Sequence, residues 1–89
     1  MAVCKQVYYS GQVQGVGFRY TARQLAEGYD VAGYVRNLPS GQVELVAEGP
    51  AEHVEAFLTA VARHMAGYIE RTYARDEPCG GHQGFVIRH

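Results

Sequence analysis

Residues Gly11 to Arg19 read Gly-Gln-Val-Gln-Gly-Val-Gly-Phe-Arg. Three glycines there let backbone N–H groups approach a ligand without a Cβ in the way. The run ends where a helix should begin, and helix N-termini carry unpaired N–H groups and a partial positive charge. Such a loop wraps an anion. Arg19 adds a guanidinium fork that matches two oxygens of one phosphate. A tetrahedral oxyanion, phosphate above all, is the guest this pattern fits. No acid, base or thiol lies inside the run, so any chemistry there must come from binding, positioning and electrostatics. Neither common nucleotide loop is present: no Lys-Ser or Lys-Thr pair follows the glycines, and Gly15-Val16-Gly17 has no third glycine three residues on.

The elements around the run have a readable order. Ala2 to Ser10 carries Val3, Val7, Tyr8 and Tyr9 with no Gly or Pro, a strand composition. Phe18, Ala22, Leu25 and Ala26 fall on one face of a helix that Gly28 stops. Val31 to Asn37 predicts a second strand and Leu38-Pro39-Ser40-Gly41 a turn. In Gln42 to Glu48, Val43, Leu45 and Ala47 point one way and Gln42, Glu44 and Glu48 the other, a half-buried strand paired with its predecessor. Gly49-Pro50 opens a helix with Val54, Phe57, Leu58, Val61 and Met65 as its apolar stripe, ending at Gly67. Tyr68 to Arg75 has no wholly apolar face and reads as a strand near an edge. The glycine-rich stretch to Gly84 is a loop, and Gly84 to Arg88 a short last strand. The expected fold class is therefore α+β: a ferredoxin-like β-α-β-β-α-β sandwich with a short extra C-terminal strand, two helices on one face of a mostly antiparallel sheet.

Composition bounds the function. At 89 residues the chain is expected to be a single domain over 1–89. A formal net charge of −1 leaves no basic footprint for nucleic acid. Seven tyrosines could suggest an aromatic platform for RNA, but Tyr8 and Tyr9 are adjacent and point to opposite faces. No apolar run is long enough for a membrane span and no signal peptide is visible, so a cytoplasmic location is expected. Cys4 and Cys79 are read as free thiols. His53, His64, His82 and His89 have no metal-ligand spacing and are read as solvated. With no histidine expected at the anion site, kcat should vary little around neutrality.

Gly11 to Arg19 resembles the first signature of the acylphosphatase family. Gly33-Tyr34-Val35-Arg36-Asn37, Leu38-Pro39-Ser40-Gly41, Val43 and Gly49 resemble the second. The two signatures span Gly11 to Gly49, and length and element order agree over the whole chain. Tyr9, where the family more often has an aliphatic residue, and His89, where Tyr or a basic residue is common, depart from it. The resemblance implies hydrolysis of acyl phosphates to a carboxylate and inorganic phosphate, with no metal, no cofactor and no covalent intermediate. It implies that Arg19 binds the phosphoryl group, that the backbone of Gln14, Gly15, Val16, Gly17, Phe18 and Arg19 completes the cradle, and that Asn37 orients the attacking water. Taken without the signature, Asn37 reads only as the opening of a Pro-Gly turn. The expected partner is a small acyl phosphate, with no nucleic acid and no membrane, and the expected state a monomer. The alternative from another class is a non-catalytic acyl- or carbamoyl-phosphate binding module.

Overall fold

The computed structural model describes every residue from Met1 to His89. Seven elements follow in order: β1 (Ala2–Gly11), α1 (Phe18–Ala26), β2 (Ala32–Asn37), β3 (Val43–Pro50), α2 (Ala51–His64), β4 (Ile69–Asp76) and β5 (Phe85–Arg88). The strands form one sheet in the order β4-β1-β3-β2-β5. All neighbours are antiparallel except β2 and β5, which run parallel. This is the ferredoxin-like arrangement with one strand added beside β2.

The helices and the sheet close on one core. Val7, Tyr9, Val35, Val43, Leu45 and Ala47 meet Phe18, Ala22, Val54, Phe57 and Val61, all buried. Every second strand residue supplies this face because side chains alternate across a pleat. Of the two helical stripes expected from the sequence, Phe18, Ala22 and Ala26 and Val54, Phe57, Val61 and Met65 are buried, while Leu25 and Leu58 pack partly buried at the margin of the core. Pro50 stands just before α2, where its missing N–H is one of the donors that has no helical partner anyway.

One expectation needs correcting. β3 is not half-buried, because Glu44 and Val46 are as enclosed as Val43 and Leu45. The sheet face away from the helices carries its own layer of long polar side chains. Register stacks Arg36, Glu44, Tyr8 and Tyr73 in one row and Tyr34, Val46, Gln6 and Arg75 in the next. Arg36 Nε donates to Glu44 Oε1 at 2.5 Å, Gln6 Nε2 donates to Glu44 Oε2 at 2.8 Å, and Arg75 Nε donates to Gln6 Oε1 at 2.7 Å. Arg88 lies 3.9 Å from the centre of the Tyr34 ring. Burial alone would push the Glu44 carboxyl up. The hydrogen bonds from Arg36 and Gln6, with the Arg36 charge, outweigh it and hold the carboxyl below its ordinary value. A central strand is thus enclosed on both sides, one apolar and one polar.

Gly33, in the second signature, allows the close approach of β2 and β3. A Cβ there would overlap the carbonyl oxygen of Val46, at a φ of +144°.

Candidate active site

The loop between β1 and α1 is anchored from below. Val13 and Phe18 are buried, and the Phe18 ring packs 4.9 Å from that of Tyr9. Burial pushes the Tyr9 phenol well above its ordinary range, so it stays neutral beneath the loop. Gly15 and Gly17 both hold φ +78°, and a Cβ at either would meet open space. Their need is conformational and not steric: the left-handed region is costly for residues with a Cβ.

Gly17 is the N-cap of α1 and no side chain caps the helix. The first backbone bond of α1 runs from Thr21 N–H to Gly17 O at 2.9 Å. The N–H groups of Gly15, Val16, Gly17, Phe18 and Arg19 therefore donate to no protein backbone acceptor. Five consecutive unpaired donors at a helix N-terminus form a concave positive surface.

Asn37 reaches this loop from β2, although β3 lies between β1 and β2. The Gln14 side chain makes the link. Its Nε2 donates to Leu38 O at 2.8 Å and to Gln42 O at 2.9 Å, tying the loop to the turn that follows Asn37. Leu38 N–H donates to Gln42 O at 2.8 Å, which closes that turn. Arg19 and Asn37 then line one cleft of about 190 Å³ with Gly15, Gly17 and Phe18. Gln14 and Val16 complete the loop without lining the cleft.

Four further residues line it that the sequence reading did not assign to the site: Val13, Tyr20, Ile87 and His89. The reading that no histidine stands at the site is corrected here. The parallel pairing of β5 with β2 sets Arg36 opposite Arg88, which brings Asn37, the last residue of β2, and His89, just past β5, to the same end. Arg19 Nη1 lies 3.4 Å from His89 Nδ1 and 3.5 Å from Arg88 O. A guanidinium has only donors, so the imidazole nitrogen is the acceptor. His82 is also engaged: its N–H donates to Glu48 Oε2 at 3.0 Å and its ring meets Tyr34 edge-on.

Nowhere in the structure do three or more His, Cys, Asp or Glu side chains come together to hold a metal ion. No helix is long and apolar enough to cross a membrane. Cys4 and Cys79 are free thiols.

A sandwich of this topology belongs to the ferredoxin-like α+β proteins, and here it carries unpaired N–H groups and an arginine at its first loop. The comparisons narrow that class. The acylphosphatase family profile matches residues 5–87. The chain is 41% identical to the acylphosphatase of Methanospirillum hungatei over 89% of each protein, and 38% identical to that of Pseudomonas aeruginosa over 97% of this chain and 96% of that one. The Bacillus subtilis acylphosphatase structure superposes with a TM-score of 0.88 at 30% identity, covering all of both chains. A HypF structure from T. kodakarensis matches the whole of this chain with 12% of its own length, at 28% identity and a TM-score of 0.80. The chain belongs to the acylphosphatase family.

Proposed function

We propose that this chain, a hydrolase of the acylphosphatase family, acts on acyl phosphates with Arg19 binding the phosphoryl group and Asn37 orienting the attacking water. The observation that carries this is one cleft lined by Arg19, Asn37 and the glycines of a loop whose N–H groups are unpaired.

The chemistry suits these groups. Water attacks phosphorus, the bond from phosphorus to the acyl oxygen breaks, and its electron pair leaves with the carboxylate. A carboxylate is a good leaving group and needs no strong acid to expel it. The transition state is loose, so catalysis rests on alignment and on stabilising charge at the equatorial oxygens. The Arg19 guanidinium and the N–H groups from Gly15 to Arg19 supply that stabilisation, on a loop that Gln14 holds in place. The Asn37 side-chain oxygen accepts one hydrogen bond from the water, and its NH₂ donates to a neighbouring oxygen. An amide is no base, so the water's proton passes to an oxygen of the phosphoryl group itself.

The test follows loss of benzoyl phosphate with chelator present. Arg19→Gln should abolish turnover. Asn37→Ala should lower kcat by about 10²–10³, the loss typical of one preorganised donor, and bind inorganic phosphate normally. If Asn37→Ala keeps kcat and loses phosphate affinity, the water-orienting role is wrong. The other reading, a non-catalytic binding module within a larger protein, has less support, since the chain matches the acylphosphatases named above over most of their length. A cytoplasmic monomer is part of the proposal. Two free thiols support the first, and exposed large apolar residues scattered over different elements support the second.

A further inference from the structure

The cleft has room for the phosphoryl group and little more. Its volume of about 190 Å³ is below the roughly 300–1,000 Å³ of pockets that enclose whole ligands. The acyl group of a bound substrate must therefore lie at the rim. Two of the apolar residues around the cleft are no use to it: Val13 and Phe18 are 0% and 2% exposed. Ile87 is half-buried. Tyr20 is different, with 59% of its surface open to solvent.

Tyr20 follows Arg19 directly at the start of α1 and lines the same cleft. Its ring is held from the far end. Gln24, one helical turn on, donates from Nε2 to the phenol oxygen at 2.9 Å. An exposed aromatic side chain with its tip fixed is a flat apolar surface already in place beside the phosphate cradle. The cleft lining contains no Asp, Glu or Lys side chain. Nothing at the rim thus selects an acyl group by its charge except Arg19, which the proposed reading assigns to the phosphoryl group.

We infer that Tyr20 is a specificity-determining residue: its ring receives the acyl group and favours aromatic and other planar acyl phosphates over short aliphatic ones. The inference rests on the acyl phosphate reading of the same site. An aromatic pair contributes beyond simple area burial, enough to change a rate ratio by about twofold to tenfold.

The experiment measures kcat/KM for benzoyl phosphate and acetyl phosphate in the unmodified chain, Tyr20→Ala and Tyr20→Phe. The unmodified chain should prefer benzoyl phosphate. Tyr20→Ala should lower the benzoyl-to-acetyl ratio by about twofold to tenfold, chiefly through KM for benzoyl phosphate. Tyr20→Phe should keep most of the ratio, since the ring remains. A parallel fall for both substrates in Tyr20→Ala would mark a structural role and overturn the inference, as would an unchanged ratio. Failure of the unmodified chain to hydrolyse either substrate would remove the functional reading itself and this inference with it.

Discussion

Replacing Gln14 isolates the contact that joins the two halves of the site. Arg19 and Asn37 come from elements separated by β3, and the Gln14 amide bridges them through Leu38 O and Gln42 O at 2.8 and 2.9 Å. Gln14→Ala removes both hydrogen bonds and leaves two carbonyls free to meet water, because the site is exposed. Each such bond contributes about 0.5–1.5 kcal/mol net. Exposure favours the lower half, so the pair is worth about 1–2 kcal/mol. If that energy holds the Asn37 turn against the loop, its loss should appear in the transition state and lower kcat by about 5- to 30-fold. KM should stay nearly constant, because Arg19 and the N–H groups are untouched. Unfolding should register the same bonds as a drop in Tm of about 4–16 °C, at 4–8 °C per kcal/mol for a domain of this size. Gln14→Glu should be worse than Ala, since a carboxylate has no N–H to donate and would face two carbonyl oxygens. Steady-state kinetics on benzoyl phosphate and thermal unfolding of the three proteins decide it. A Gln14→Ala protein with wild-type kcat would refute the coupling, as would a Glu variant equal to the Ala variant.

Two further outcomes are expected away from the cleft. Cys4 is buried beside Glu77 and Glu48, and burial first, then those charges, push its thiol up to about 12. Cys79 is exposed. Brief alkylation of the native protein near pH 8 should therefore mark Cys79 and spare Cys4 in a peptide map; equal labelling would contradict the burial of Cys4. Glu44 concerns stability against acid. Its folded carboxyl sits below the ordinary 4.5, so its stabilising effect is full above that value and is lost as pH falls through the lower, folded value. Below pH 4.5 the Tm of the wild type should fall more steeply than that of Glu44→Gln; parallel curves would show that the Arg36–Glu44–Gln6 cluster contributes nothing through its charge.

Much of the site could be read locally. Glycine spacing, the arginine at the helix start and the Pro-Gly turn after Asn37 are all short-range signals, and so is the order of strands and helices. What stayed hidden depends on pairing between distant segments. The contribution of Ile87 and His89 follows from β5 lying parallel to β2, and a four-residue strand after a loop carries no mark of its neighbour. Glu44 looked like a solvent-facing residue because alternation says which face a side chain takes and not what covers that face. Arg36, Gln6 and Arg75 cover it, from three different strands. Tyr20 escaped for a related reason: an exposed tyrosine on a helix is ordinary until a cleft is found beside it.

The anchoring of the loop by Val13, Phe18 and Gln14 has a kinetic consequence. A cradle that is shaped before the substrate arrives has no closing step, so it cannot wait to distinguish a phosphoryl group still joined to its acyl partner from free phosphate. On the proposed function both would meet the same donors. The released product should therefore compete with fresh substrate for the cleft, and turnover should slow as inorganic phosphate accumulates. A rigid receptor for the reacting group makes the catalyst answerable to its own product.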